Sequence, residues 1–413
     1  MGKDNNKNLV GQPIFKQMLD LLPRDKFEML VHKHGSDRYY KRFTSWTQFV
    51  TMLFGIFSRC DSMSEVCAGM RALEGNLNYW GMDSSPAKST AGDGLRDRAN
   101  VLFRDYYFSL IEHFSSVFSV SRVEKVSFER FFAFDSTTIG LFSDVLKGVG
   151  RNPKGDGKKK GGLKVHMLTD VHNESAQYAY ISEAKEHDRK FLDRLSLPQG
   201  SMIVFDRAYN DYKWFSEQSG KDIWFVCRMK KNAVYQVQQV IWDRVLEKDP
   251  FGVLKEEHIH LKYKDGKEEK TLCLRRIIYK DEQRRIFVFI TNNFEITAEE
   301  VAFLYKKRWT IELLFKKLKG NFQLTYFYSE TENGIKTQVW CTLIACLLMM
   351  VLMAKAKTKK AFSTVATLIR IYLISHRALF WVIENSRRTY TKRSKRRNKS
   401  PAVQMSFSFQ GGG

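Results

Sequence analysis

The sequence lacks the features that define membrane, secreted and zinc-binding proteins. Its longest apolar run, Val339–Ala354, has 16 residues, whereas a helix needs about 20 to span a bilayer, so we expect a buried core helix there. The six cysteines include no CxxC pair, which argues against structural zinc and a disulfide framework and fits a reducing cytosol. The first 12 residues contain no apolar stretch, so we expect no secretory signal.

Acidic residues are also scarce, with 45 Asp and Glu against 68 Lys and Arg and a formal net charge of +23. Residues 387–399 contain eight Lys and Arg residues and no acidic residue. Residues 147–164 contain seven Lys and Arg residues and one acidic residue. We interpret the first segment as a basic disordered tail and the second as a loop between strands. Because such clusters attract polyanions, the charge favours a nucleic-acid partner over simple solubilisation.

The hydrophobic pattern changes from helical to β-rich along the chain. Residues 13–80 have apolar positions three and four apart, the helical period. After a polar break at residues 83–94, a further helix is predicted from about Leu95, with Arg96 and Arg98 on its first turns. A DNA-binding helix-turn-helix and an ordinary helical bundle fit this pattern equally well. Within residues 216–293, apolar and polar residues alternate in short segments, a pattern that predicts a second, β-rich unit.

Two acids stand at the ends of strongly apolar segments. Arg130–Asp135 and Ser201–Asp206 are each typical of a central strand that is covered on both faces. A single such Asp often forms a turn or caps a helix. Two of them, with a helix carboxylate in a basic chain, instead suggest oxygen ligands for a hard cation such as Mg²⁺, because Zn²⁺ would require Cys or His. Two such ions assist phosphodiester chemistry in other enzymes.

The best-marked helix follows these strands. Thr297 and Glu300 form a T-x-x-E capping box, and the apolar positions predict one continuous helix that stops at Gly320. On such a helix four polar side chains share one stripe: Tyr305, Arg308, Glu312 and Lys319. This stripe fits a phosphate-binding site, but it equally fits an exposed face on which Glu312 pairs with Lys316.

The spacing Tyr305-x2-Arg308-x3-Glu312-x6-Lys319 resembles the Y-R-E-K signature of DDE transposases from bacterial insertion sequences, of the insertion-sequence-four type. The segments FAFDST at Asp135, VFDRAYND around the second Asp, KGGLKVH at residues 160–166 and ITNN before the helix are also similar to this family. The resemblance is strong over residues 130–320 and weaker over the N-terminal helices.

The resemblance implies an α/β protein with an RNase H-like catalytic core and a β-rich insertion, preceded by an all-helical N-terminal DNA-binding domain. Asp135 would lie on the first core strand, Asp206 on the fourth and Glu312 on a later helix. The expected units are the N-terminal domain (1–125), the first part of the core (126–215), the insertion (216–296), the second part of the core with C-terminal helices (297–385) and the basic tail (386–413).

The resemblance also implies cut-and-paste DNA transposition: the enzyme binds the terminal repeats, hydrolyses phosphodiester bonds at the element ends and joins the 3′-hydroxyl to target DNA. Asp135, Asp206 and Glu312 would hold two Mg²⁺ ions, for which Mn²⁺ can substitute. We expect a homodimer in a synaptic complex with double-stranded DNA, located in the bacterial cytoplasm at the nucleoid and not at a membrane. Including the N-terminal arginines, the expected DNA contacts are Tyr305, Arg308, Lys319, Arg207, Tyr209, Lys160, Lys164, Arg96 and Arg98.

Two other functions fit parts of the same pattern. One is a sequence-specific DNA-binding protein or repressor that lacks catalysis, although all three acids are present. The other is a standalone RNase H-like nuclease, which would cut DNA without joining it.

We predict that deleting Arg387–Lys399 weakens binding to DNA of any sequence, because fewer counterions are released when fewer phosphates are neutralised. The slope of log affinity against log salt concentration should flatten by about 0.9 for each phosphate that the tail neutralises. Anisotropy titrations at several salt concentrations measure this slope, and deletion of residues 400–413, which contain no Lys or Arg, is the control. An unchanged slope in the first deletion would show that the tail does not touch phosphate.

Overall fold

The computed structural model describes residues 11–118, 127–140, 162–183, 186, 188–244, 252–322, 324 and 326–385. The chain begins with a group of helices: α1 (Ile14–Leu19), α2 (Arg24–His34), α3 (Ser45–Ser58), α4 (Met63–Arg71), α5 (Lys88–Asp97), α6 (Val101–His113) and α7 (Ser115–Phe118). Side-chain caps start two of them, since Thr44 Oγ1 accepts from Thr47 N at 3.2 Å and Ser62 Oγ accepts from Glu65 N at 3.2 Å.

A mixed sheet follows the helices. Its strands are β1 (Arg130–Gly140), β2 (Gly162–Asp170), β3 (Ala176–Glu183), β4 (Ser201–Phe205), β5 (Trp224–Arg228), β6 (Gln236–Asp243), β7 (Gly252–Asp265), β8 (Glu268–Lys280) and β9 (Ile286–Thr291), with α8 (Tyr212–Ser219) between β4 and β5. The spatial order is β3-β2-β1-β4-β5-β9-β8-β7-β6. The pairs β1–β4 and β4–β5 are parallel, and the other described pairs are antiparallel.

The remaining helices are α9 (Ala298–Lys306), α10 (Trp309–Asn321), α11 (Glu332–Lys355), α12 (Phe362–Tyr372) and α13 (Leu379–Asn385). Helix α11 contains the long apolar run and is long and apolar enough to cross a membrane, but 83% of its most apolar 18-residue window is buried inside this chain. It packs against α3, α5 and α6. The prediction of a buried core helix is therefore confirmed.

The sheet is covered on both faces, as the apolar strand segments predict. One face shares a core with α9, α10, α11 and the N-terminal helices. The other face packs on side chains from residues 188–219, including Phe191, Trp214 and Phe215. The central strands β1 and β4 therefore lie between two apolar layers, which explains why Phe205 and its neighbours in β4 are buried.

The expected unit at residues 216–296 does not begin at a break in the sheet. Strand β5 pairs in parallel with β4, and Cys227 lies beside Phe205. Strand β9 then pairs with both β5 and β8, so the β-rich strands extend the same sheet. Alternation within a strand reports which faces are buried, but it does not specify which neighbour completes the backbone hydrogen bonds.

The predicted continuous helix over residues 298–320 is interrupted. Thr297 caps α9 as predicted, since its Oγ1 accepts from Glu300 N at 3.1 Å. Lys307 N and Arg308 N then bond to carbonyls three residues back, Leu304 O and Tyr305 O, at 3.0 Å each. This tighter turn separates α9 from α10, so the four residues of the polar stripe do not lie on one uniform helix.

The predicted helix from Leu95 is also wrong, because α5 ends at Asp97 and Arg98 follows it. The Arg98 side chain is fully enclosed. It donates to Phe43 O at 2.7 Å, to Ser36 O at 3.2 Å and to Gln48 Oε1, and Asp37 Oδ1 lies 3.4 Å away. The expected DNA contact at Arg98 is not supported, because its guanidinium already holds helices and loops of this domain together.

We predict that Arg98→Ala lowers the free energy of unfolding by about 3 kcal/mol, because buried carbonyl and amide oxygens lose their donors. Arg96→Ala is the matched control: Arg96 is exposed and pairs with exposed Asp93 and Asp97, so its loss should change stability by less than about 0.5 kcal/mol. Urea unfolding followed by circular dichroism measures both values. Equal stabilities of the two variants would contradict the structural role of Arg98.

Candidate active site

Two aspartates lie side by side at one edge of the paired strands β1 and β4. The register places Phe134 beside Phe205, so the next residues, Asp135 and Asp206, are neighbours. Strand β4 ends at Phe205, and Asp206 caps a short turn by accepting from Ala208 N at 3.3 Å. Strand β1 continues to Gly140 through pairing with β2, so Asp135 does not end its strand as predicted. It stands where the pairing with β4 ends.

Helix α10 brings Glu312 to this edge, since it packs across β1. Arg308 links the two elements: its Nη1 donates to Asp135 Oδ2 at 2.7 Å, and its Nη2 donates to Glu312 Oε1. The side chains of Arg308, Asp135 and Glu312 are 16%, 20% and 31% exposed. Glu312 therefore pairs with Arg308 inside a cleft and not with Lys316 on an open surface.

The electrostatics of the site are dominated by Asp135. Burial raises the pKa of Asp135 to about 6, and the charges of Asp206 and Glu312 act in the same direction. The backbone N–H of Ser136, at 2.8 Å, and the guanidinium of Arg308 oppose this rise in pKa. Asp206 and Glu312 thus lie close enough to Asp135 to repel its carboxylate, and one arginine pairs with Asp135 and Glu312.

The donor chemistry of the site fits a hard divalent cation, because its acidic groups are all carboxylates. Among the residues that the structure describes, no three His, Cys, Asp or Glu side chains are spaced to hold a metal ion as they stand. The reason is visible at Asp135 and Glu312, whose carboxylates are joined by the Arg308 guanidinium. A cation bound by both carboxylates therefore requires Arg308 to move.

Tyr305 and Lys319 flank this cluster. Tyr305 is 8% exposed and packs its ring 4.8 Å from Phe289. Its hydroxyl is buried and has no hydrogen-bond partner within the described part of the chain. Lys319 is exposed, and its Nζ donates to Thr138 O on β1 at 3.0 Å. An unsatisfied hydroxyl and an exposed ammonium on either side of the carboxylates suit an anionic ligand.

The other expected DNA contacts are dispersed. His166 on β2 stacks on Phe191, on the face of the sheet opposite α10. Lys164 lies on the same face of β2, and its Nζ donates to Glu186 O at 3.2 Å. Tyr209 is 1% exposed and packs its ring 4.2 Å from that of Phe134. The expected contact at Tyr209 is therefore not supported, because its side chain belongs to the core.

Three expected contacts remain to be placed. Arg207 is half-buried beside Asp206. Arg96 lies on α5 among the N-terminal helices, where it is exposed and pairs with Asp97. Lys160 lies outside the described residues.

A basic depression next to Asp206 was not predicted. It is lined by Asp206, Arg207, Ala208, Lys230, Lys231 and Asn232. Because β5 runs parallel to β4, the segment after Arg228 leaves the sheet at the same edge as Asp206. Lys230 and Lys231 are exposed there, and Lys230 Nζ donates to Asn210 O at 3.3 Å. The run R-M-K-K after an apolar strand segment was the available signal.

Comparisons with known proteins bear on what this arrangement does. The family model described as Transposase DDE domain matches residues 126–348, more than half of the chain, and a model described as Domain of unknown function (DUF4372) matches residues 10–83. The transposase y4zB of Sinorhizobium fredii is 28% identical over 196 residues, which cover 48% of this chain and 54% of that protein. The chain thus spans about half the length of that relative.

A second relative aligns over more of its length. The transposase for insertion sequence element IS4SA of Synechocystis is 24% identical over 314 residues, which cover 74% of this chain and 81% of that protein. The cryo-EM structure of a piggyBac transposase synaptic complex with hairpin DNA is 12% identical over 93% of this chain and 82% of that chain, with a TM-score of 0.40. That score is too low to support a conclusion.

We predict that the double variant Lys230→Gln/Lys231→Gln weakens binding of the expected DNA ligand uniformly across sequences. If each lysine neutralises one phosphate, the slope of log affinity against log salt should fall by about 1.8, or 0.9 per phosphate. The matched control is Lys221→Gln/Lys267→Gln, because both lysines are exposed away from this edge of the sheet. Equal slopes for the two double variants would remove the depression from the DNA-binding surface.

Proposed function

The chain belongs to the Transposase DDE domain family, and we propose that it is a DNA transposase that excises an insertion-sequence element and joins it to target DNA by cut-and-paste transposition. The observation that carries this proposal is the meeting of Asp135, Asp206 and Glu312 at one cleft, linked by Arg308. Their order in the chain and their positions, on β1, directly after β4 and on α10, agree with the RNase H-like core that the resemblance implies. We propose that core for residues 126–215 and 297–385 together with β5, which pairs with β4, and the β-rich insertion for the segment between β5 and α9.

The three carboxylates form the catalytic group. Asp135, Asp206 and Glu312 would hold divalent cations, Mg²⁺ or Mn²⁺, as oxygen ligands if the Arg308 guanidinium moved away. Two such ions would help to activate the attacking oxygen and to stabilise the leaving oxygen of a phosphodiester. The carboxylates contribute position and negative charge, and rigid strands and a packed helix keep that position fixed.

The cations around the cleft bind the DNA backbone. Lys319 lies on one side of the carboxylates, at Thr138, and Arg207, Lys230 and Lys231 lie on the other, beside Asp206. A DNA strand bound across the ends of β1 and β4 would therefore contact positively charged side chains on both sides of the phosphodiester bond to be cut. Guanidinium and ammonium groups suit phosphate by charge and by hydrogen-bond geometry.

The partners follow from the reaction. The N-terminal domain expected for residues 1–125 binds DNA, and a homodimer holds two element ends together in a synaptic complex. The protein acts in the bacterial cytoplasm at the nucleoid, where its DNA substrates are.

We expect the purified chain, incubated with end-labelled duplex from its own genetic flanks and Mg²⁺, to release a 3′-hydroxyl end and a joined product. Asp135→Asn and Glu312→Gln should each reduce scission by more than about 100-fold, since loss of even outer-shell partners of a metal costs that much. Both variants should still bind the duplex. Denaturing gels resolve nicked and joined products, and gel shifts report binding.

The matched control is Asp193→Asn, which makes the same chemical change at an exposed aspartate on the face of the sheet opposite α10. This variant should leave scission unchanged. Normal scission by Asp135→Asn would remove Asp135 from the catalytic group. Shifted but uncut duplex with the unaltered protein would instead indicate a DNA-binding protein without catalysis. Cutting without joined product would indicate a standalone nuclease.

A further inference from the structure

Arg308 occupies the position between two of the catalytic carboxylates. One end of its guanidinium donates to Asp135 at 2.7 Å, and the other donates to Glu312. Its side chain is 16% exposed, so solvent screens these interactions only in part. A single internal positive charge therefore pairs with both of these carboxylates.

We infer that Arg308 makes metal binding at the catalytic cleft conditional on bound DNA. In the absence of DNA, the guanidinium holds Asp135 and Glu312 and excludes a divalent cation. When DNA binds, a backbone phosphate takes over the guanidinium, and the released carboxylates become available to the cation. This inference rests on the proposed function, because it assigns the phosphate to the DNA substrate.

A phosphate is a suitable replacement partner for Arg308. Its two free oxygens match the fork of the guanidinium, as the oxygens of the two carboxylates do now. The Nε of Arg308 is buried and has no hydrogen-bond partner within the described ranges, and the same is true of the Tyr305 hydroxyl. The Arg308 Cζ lies 5.8 Å from the Tyr305 ring centre. Two neighbouring donors thus have no acceptor among the residues that the structure describes.

The location of Arg308 makes such a movement feasible. It stands at the junction of α9 and α10, in the turn whose N–H groups bond three residues back. The next residue, Trp309, is 57% exposed, so the junction borders solvent. The side chain can turn outward without breaking the hydrogen-bonded interior of either helix.

The exchange couples two ligands through one charge. If Arg308 moved away and no cation took its place, the negative charges of Asp135, Asp206 and Glu312 would repel one another. If a cation bound while Arg308 stayed in place, the positive guanidinium would repel it. Each ligand therefore favours the arrangement that the other requires, and linkage demands that DNA strengthen metal binding by the same factor as metal strengthens DNA binding.

The test measures Mn²⁺ binding by electron paramagnetic resonance of the free ion, with full-length protein and no activity readout. For the unaltered protein, a saturating duplex from the element ends should raise Mn²⁺ affinity on the order of 10- to 100-fold, within the usual range of coupling. Binding to the duplex itself is subtracted with the Asp135→Asn complex. Arg308→Gln should raise affinity without DNA by a similar factor and lose most of the gain with DNA.

Lys306→Gln is the matched control, because it removes an exposed cation at the end of α9 that belongs neither to the carboxylate cluster nor to the proposed DNA contacts. Its Mn²⁺ affinity without DNA should equal that of the unaltered protein. Equal DNA-free affinities of Arg308→Gln and the unaltered protein would overturn the inference. If Arg308→Gln does not fold, the measurement on the unaltered protein is sufficient. Equal Mn²⁺ affinities of that protein with and without the duplex would overturn the inference.

Failure of the proposed function has a different signature. It would appear as Mn²⁺ binding that Asp135→Asn does not change, or as an unaltered protein that binds metal and DNA but neither cuts nor joins. A protein that cuts and joins, with Mn²⁺ affinity independent of DNA, would keep the proposed function and refute only the role of Arg308.

Discussion

The pairing of one arginine with two of three neighbouring carboxylates is the constraint on which the candidate active site depends. Asp135 lies mostly buried between two apolar layers, and the nearby charges of Asp206 and Glu312 make its ionised form still less favourable. A charge in such a place persists only when it is paired. Arg308 supplies that pairing and ties the sheet to α10. This pairing therefore joins the sheet to α10 at the site where the three acids meet.

The scaffold explains why these groups meet. The register of β1 with β4 places the two aspartates next to each other, and helix α10 is pressed onto β1 by the same core that encloses α11. Side chains on packed strands and helices are held more precisely than side chains on loops. The loop-borne groups, Lys230 and Lys231, are instead exposed at the rim. The candidate carboxylates are thus held at precise positions, whereas the exposed lysines can adapt their positions.

Local sequence patterns predicted much of the architecture. The apolar segments before Asp135 and Asp206 predicted central strands, the run within α11 predicted a buried helix, and Thr297 predicted the start of α9; the structure bears out each of these. The spacing from Tyr305 to Lys319 indicated the family, which the match over residues 126–348 confirms. These predictions succeeded because burial, capping and motif spacing depend on residues close together in the chain.

Which partners those residues have depended on long-range packing. Arg96 and Arg98 look equivalent in the sequence, yet one is exposed and the other is enclosed by oxygens from a distant helix and loop. Glu312 pairs with Arg308 and not with Lys316, because Asp135 approaches from β1. The order of residues was sufficient to predict the central strands, the buried helix α11 and the start of α9, and to identify the three candidate acids. The fold set their charge partners, because electrostatic interactions depend on distance through space and on burial, which contacts between remote segments create.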